Sequence, residues 1–294
     1  MSMNSSKYLL ALFIGVPLLF YSFIVIFPLF FTIYISLTVW EGVGEPIFVG
    51  LQNYVKLFQD QMFYSSLVNN LTIFVAEIAF RLTISFFLAL LIYEKIKGWQ
   101  IFRNIFFLPT VMSMAIIGMM WRLILDPISG PLNEFGRYIG WSWLAQAQWL
   151  YDKYLALPTV IFVGLWRWIG FTMVIFLGGL QTLNPEFFDA AKIDGASWWK
   201  IVRHIIIPLL TPIFALNFIL LWSHSMKIFD IIWVMTSKGY GPLETTSVLT
   251  TYLFVNAFRF KQFGYASAIA TILLAITSVV GVIQLRFWGG RERV

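Results

Sequence analysis

The chain contains no cysteine, so no disulfide, thiolate nucleophile or cysteine-built metal site is open to it. It has only two histidines, His204 and His224, and they offer no two-histidine metal spacing. No G-x-x-x-x-G-K-[ST] stretch is present, which excludes ATP binding by a P-loop. Nothing resembles the strand–Ser–helix elbow of a hydrolase, so an enzyme reading has little support. Charge is scarce as well: 12% of the 294 residues are charged, against about a quarter in a soluble domain. There is no Pro/Ser/Gly-rich linker, internal repeat or low-complexity tract. Length alone would suggest about two domains. Composition suggests one all-α polytopic membrane bundle over residues 1–294. The net charge of +6 does not indicate a nucleic-acid partner, because the basic residues are scattered at the ends of apolar segments, as membrane topology demands.

What is abundant is apolar length. Six runs are predicted to span a membrane: Tyr8–Val39, Leu67–Tyr93, Ile105–Leu125, Leu157–Leu180, Ile206–Thr236 and Gly264–Phe287. The first is about twice as long as a signal-peptide core and no A-x-A-type site follows it, so it reads as a retained span, bent at Pro17 and Pro28. The fourth would be about 36 Å long at the helical rise. Between the spans lie the mixed segment Trp40–Ser66, a Trp- and Gly-rich segment Asp126–Tyr154 suited to an interfacial aromatic belt, and the loop Ser237–Gln262. No pair of broken apolar segments, the mark of many secondary transporters, is evident.

Six spans put both termini on one side. That side carries Lys7, Lys95, Lys97, Arg103, Lys192, Lys200, Arg203, Arg286, Arg291 and Arg293; the other carries Lys56, Arg137, Lys153, Lys238, Arg259 and Lys261. The excess places both termini, and the loop Asp189–Gly195, in the cytoplasm of a multi-pass membrane protein.

One helical stretch between spans is polar: Phe188–Pro208, FDAAKIDGASWWKIVRHIIIP. Asn184 can cap it, with Pro185 pre-set for the first helical position. Glu186 and Asp189 suit the positive N-terminal end. Gly195 fits a left-handed helix end, Ser197 can cap a second helix from Trp198, and Pro208 should open or kink the next span. Small residues at Ala190 and Ala191 allow another surface to approach. The stretch resembles the cytoplasmic EAA loop of ABC-importer permeases, here Asp189-Ala190-Ala191, Gly195, Ile205, Ile207 and Pro208. Asp189 replaces the usual Glu and Ile207 the usual Leu.

A second stretch narrows the resemblance to sugar permeases of the maltose, glycerol-3-phosphate and oligosaccharide type. It contains Phe229-Asp230, Val234-Met235-Thr236, Glu244-Thr245-Thr246, Ala257-Phe258 and Phe263-Gly264-Tyr265-Ala266. The Gly-rich turn is altered to Lys238-Gly239-Tyr240-Gly241-Pro242. The early PLFFTIYISLTVW and FVGLQNYVKLF resemble the first-permease type, so the likeness covers nearly the whole chain.

The resemblance implies a type I importer fold and an ATP-driven, binding-protein-dependent importer of sugars in the inner membrane of a prokaryotic cell. It implies a second homologous permease, two ATPase subunits that bind the ATP and Mg, and an extracytoplasmic solute-binding protein. This chain itself would carry no cofactor. The loop 184–205 would be the coupling element, with Glu186, Asp189, Ala190, Ala191, Asp194, Gly195, Ile205 and Pro208 as its contact and hinge residues. A permease for a polyamine or amino acid, and a secondary transporter, are the rival readings.

Ionisable groups inside spans cost a few kcal/mol each unless partnered, so Glu77, Arg81, Arg122, Arg167, His224, Lys227 and Asp230 face partners or a wet cavity. Glu77 with Arg81 at i,i+4 and Lys227 with Asp230 at i,i+3 are expected to pair. Such pairs either tie helices together or line a substrate path. The same two readings apply to Asn217 and Trp222, which could hold a sugar or serve as interhelical packing.

Overall fold

In lipid no water satisfies exposed backbone groups, so a membrane-length apolar run folds as a helix. A computed structural model describes residues 3–236 and 241–289, and among these the apolar runs are helical. Lys238, Gly239, Tyr240, Arg291 and Arg293 lie outside the described residues. In order come α1 (Leu12–Ser36), α2 (Gln61–Tyr93), α3 (Trp99–Val111), α4 (Met114–Ile124), α5 (Ala156–Gln181), α6 (Glu186–Ile193), α7 (Trp198–Leu209), α8 (Thr211–Lys227), α9 (Asp230–Met235) and α10 (Phe263–Trp288). Helices α1, α2, α5 and α10 are each long and apolar enough to cross a membrane alone. The pairs α3–α4 and α7–α8 bring the number of spans to six if each bent pair counts as one.

Pro17 and Pro28 lie within one continuous helix, α1, with a wide π turn at Ser22–Ile26 just before Pro28. Two expectations need correction. The third span is not one helix: α3 and α4 meet at 101°. Pro109 removes a backbone donor in the last turn of α3, and Met112 and Ser113 are extended. The fifth run bends by 67° at Leu210, beside Pro208 where a kink was expected, but it is also divided further on: α8 ends at Lys227 before Ile228 and Phe229. Broken segments are therefore present, although the apolar pattern hid them.

The described chain divides into two compact units. The first comprises Met1–Phe63 and Leu253–Ala275. A short hairpin, β1 (Thr38–Val39) with β2 (Ile47–Phe48), follows α1. Buried Asn53 donates to the carbonyls of Ser36 and Thr38 at 2.9 and 2.8 Å, which fixes the end of α1. Gly264 presses on this turn; a Cβ there would lie 1.9 Å from the Thr38 carbonyl oxygen.

The second unit, Tyr64–Tyr252 with Ile276–Val294, holds two apolar cores. One gathers Ile73 of α2, Ile117 of α4, Val160 and Val163 of α5, and Ile231, Ile232 and Met235 of α9. The other gathers Phe86, Ala89 and Leu90 of α2, Met173, Phe176 and Leu180 of α5, Phe188 and Ala191 of α6, and Ile201, Val202 and Ile206 of α7. Lipid is as apolar as leucine, so close packing and polar ties hold such helices together rather than exclusion from water. In the segment after α4, Tyr138, Trp141, Trp143 and Tyr154 are exposed and Asn133 is buried. The Asp126 carboxylate accepts from the Ser129 N–H (2.8 Å) and hydroxyl (3.0 Å) and from the Ile128 N–H (3.0 Å), which hold its pKa below the ordinary range.

Helices α3 and α5 touch at Gly170, where a Cβ would lie 2.0 Å from the Phe106 carbonyl oxygen. Gly170→Ala is therefore expected to destabilise the protein by about 1–3 kcal/mol, read as a lowered unfolding midpoint in detergent. Gly281→Ala, with nothing within 4 Å, should leave the midpoint unchanged.

Candidate functional site

Between the two apolar cores of the second unit lies a polar layer. Glu77 and Arg81 form an ion pair at 3.1 Å, both almost fully buried, where α2 widens into a π turn at Glu77–Leu82. His224 of α8 places Nδ1 2.8 Å from the same Glu77 Oε1. Arg81 donates through Nε to the Thr172 hydroxyl of α5 at 2.8 Å. The Trp168 ring of α5 lies 5.1 Å from the His224 ring and 5.3 Å from the Arg81 guanidinium. One carboxylate and one guanidinium thus join three helices, and the expected Glu77–Arg81 pairing is present.

Beside this layer opens a recess of about 400 Å³, lined by Met114, Arg167, Trp168, Ser223, His224, Lys227 and Asp230 among others. Arg167 has a second duty. Its Nη2 donates to the carbonyls of Thr110 and Met112, each at 3.2 Å, and Thr110 Oγ1 donates back to the Arg167 carbonyl at 2.9 Å. These bonds satisfy the carbonyls that the break after α3 leaves open. Its guanidinium also stacks on Trp168 at 4.1 Å.

The recess brings together His224, Arg167, Lys227 and Asp230; Glu77 and Arg81 belong to the polar layer, and Asn217 and Trp222 are not on the recess lining. Asn217 is buried and donates to the Ile213 carbonyl at 2.9 Å. Trp222 is buried, donates to the Thr277 carbonyl at 3.3 Å and stands edge-on to Phe74. For both, packing is the observed role. Lys227 and Asp230 make no ion pair within 4 Å among the described residues, contrary to expectation. The helix stops between them, so the i,i+3 geometry that would pair them is absent. Arg122 donates to the Val234 carbonyl at 3.2 Å, tying α4 to α9.

The polar stretch forms α6, a turn and α7. Asn184 caps α6 by accepting from the Glu186 N–H at 3.0 Å. Gly195 takes φ +74, the left-handed end expected of it. Ser197 occupies the start of α7 but makes no capping bond. The inner face, Phe188, Ala191, Ile201 and Val202, enters the apolar core. The outer face leaves Glu186, Asp189, Ala190, Asp194 and Gly195 exposed, with Ile205 half-buried and Pro208 exposed where α7 nears its bend. Ala191 therefore packs inward, and only Ala190 of the small pair faces out. Asp189 lies 3.9 Å from Lys192, an exposed pair that contributes little.

Residues 81–288 match the family described as binding-protein-dependent transport system inner membrane component. The chain belongs to that family. It is 36% identical to a probable ABC transporter permease protein of Pyrococcus horikoshii, over 96% of either chain. It is 30% identical to the probable starch degradation products transport system permease protein AmyD of Thermoanaerobacterium thermosulfurigenes, over 96% of this chain and 94% of the relative. It is 31% identical to the diacetylchitobiose uptake system permease protein NgcF of Streptomyces coelicolor, over 95% of this chain and 83% of the relative. Among solved structures, a chain of a bacterial ABC transporter that imports the acidic polysaccharide alginate superposes with a TM-score of 0.85 at 21% identity, covering 99% of this chain and 98% of that one. That likeness shows the fold: an all-α ABC-importer permease.

Several residues of this permease carried no signal that singled them out. Trp168 and Thr172 sit one helical turn apart on α5 and complete the polar layer. Asn70 of α2 donates to the Ser225 carbonyl at 2.6 Å and accepts from the Leu249 N–H at 2.9 Å. An amide inside an apolar run was the available clue. Ile193 is 86% exposed, a large apolar side chain left uncovered at the end of α6. Removing one partner of the buried pair leaves the other charge stranded. Arg81→Met is expected to lower stability by roughly 3 kcal/mol, and Glu77→Gln on top of it to restore more than half, measured by unfolding in detergent.

Proposed function

We propose that this permease is one of two membrane subunits of an ATP-driven importer of sugars, and that α6 and α7 are its coupling element. In this reading both termini and the turn at Gly195 are cytoplasmic, while Trp40–Ser66, Asp126–Tyr154 and Ser237–Gln262 lie outside. Two ATPase subunits bind the ATP and Mg and seat α6 in a surface groove. A second permease completes the path, and a solute-binding protein delivers the sugar.

The observation that carries the reading is the two-faced character of α6. Phe188 and Ala191 are locked into the core shared by α2, α5 and α7, while Phe187, Ile193 and Trp199 stand 52%, 86% and 62% exposed. A bare apolar face anchored to a packed core suits a force-bearing contact with another subunit. When the ATPases close, α6 and α7 move and carry the ends of α5 and α8 with them as near-rigid bodies. Asp189 offers a carboxylate to a basic group of the ATPase, and Gly195 sets the angle between the two helices.

Sugar as cargo is supported by relatives named for starch degradation products and diacetylchitobiose. The recess suits it too: Trp168 offers an aromatic face, and Ser223, His224, Lys227 and Asp230 offer donors and acceptors. In proteoliposomes holding the complete transporter, one loaded oligosaccharide should stimulate ATP turnover through the binding protein; no stimulation by any sugar would refute the cargo. Gly195→Val meets no neighbour but must hold a left-handed conformation costing about 1–2 kcal/mol. It should insert normally yet abolish uptake, and normal uptake would count against the coupling role.

A further inference from the structure

The first unit contains a recess of about 470 Å³ that shares no lining residue with the one beside the polar layer. It lies between the β1–β2 hairpin, the helix Gln52–Phe58 and the start of α10. Its walls include Trp40, Glu41, Lys56, Lys261, Gln262 and Tyr265. We propose that this recess is a docking notch for an acidic side chain on a protruding loop of the solute-binding protein. The proposal rests on the topology given above, which puts Trp40–Ser66 and Ser237–Gln262 outside the cell.

The notch is pre-formed. Tyr265 is buried and its hydroxyl donates to Asp60 Oδ2 at 2.5 Å. Lys56 lies over the Tyr265 ring, 4.6 Å from its centroid, and donates to Gln262 Oε1 at 3.3 Å. Its ammonium is therefore held in place by neutral partners. Trp40 is fixed by donating through Nε1 to the Gly44 carbonyl at 3.0 Å and by packing on Phe263 at 5.5 Å. Lys261 has φ +56, and the Gln262 N–H beside it bonds the Asn256 carbonyl at 2.9 Å.

The charge chooses the partner. Neither Lys56 nor Lys261 makes an ion pair within 4 Å among the described residues. Glu41 is the one carboxylate among the lining residues, against two ammoniums; Asp60, which accepts from the Tyr265 hydroxyl, is not on the lining. A neutral sugar has no use for two unpaired ammoniums. A carboxylate on a protein loop does, because a held ammonium loses little freedom on pairing. Membership of a binding-protein-dependent family supplies the protein that must dock on this side.

The test uses the complete transporter in nanodiscs with its own substrate-loaded binding protein. The half-saturating concentration of binding protein for ATPase stimulation is measured for wild type, Lys56→Gln and Lys56→Glu/Lys261→Glu. The expected result is a few-fold rise for the first variant and at least tenfold for the second, with unchanged basal and maximal turnover. The rise should steepen at low salt, and an acidic-to-lysine change on the binding protein should reverse it. Equal half-saturating concentrations in all three would overturn the proposal. So would a defect that follows the anionic lipid content of the nanodisc and not the binding-protein concentration, since the notch would then hold a phospholipid headgroup. Wild type that the binding protein fails to stimulate would instead refute the importer reading itself.

Discussion

Glu77 Oε1 receives both Arg81 and His224, and the rest of the second unit is arranged around that shared oxygen. A lone charge at this depth would cost several kcal/mol, so α2 and α8 must keep the register that brings these groups together, and Thr172 binds α5 to the same node. The layer lies between one apolar core that includes α4 and α9 and another that includes α6 and α7. Close-packed cores resist compression, so in the proposed coupling a displacement of α6 would pass to α2 and α5.

The breaks in the helices follow a second constraint. Each leaves carbonyls without intrahelical donors, and irregular backbone at membrane depth survives only where protein or a wet cavity satisfies it. After α3 the Arg167 guanidinium supplies the donors; it also lines the recess where α8 ends and α9 begins. The broken geometry therefore opens space next to polar groups, as a transport path requires. Arg167 and His224 each bind the helices together and face that space.

Much of this was legible in the chain. The fourth and sixth spans fell within a residue or two of α5 and α10, because their apolar runs end at unmistakable polar neighbours. The α6–Gly195–α7 form could be read from one cap and one glycine, since those are local backbone requirements. The breaks were legible only in part. Pro208 announced the bend at Leu210. The break after Pro109 and the end of α8 at Lys227 were not, because a proline is tolerated in many continuous helices and whether it breaks a span depends on which distant side chain satisfies the freed carbonyl. The roles of Asn217 and Trp222 were undecidable for a similar reason: an amide on an apolar helix can bond its own backbone or a ligand, and here Asn217 bonds its own. Lys227 and Asp230 had the spacing of a pair, but the spacing counts only inside an unbroken helix.

The central claim is that the outward face of α6 is cytoplasmic and covered by an ATPase subunit. The natural absence of cysteine makes it directly measurable, because Ile193→Cys introduces a single thiol into this subunit. Labelling with a membrane-impermeant thiol reagent should occur in inside-out vesicles only, and should be suppressed when the ATPase subunits are bound. Labelling of intact right-side-out vesicles, or equal labelling with and without the ATPases, would contradict the account.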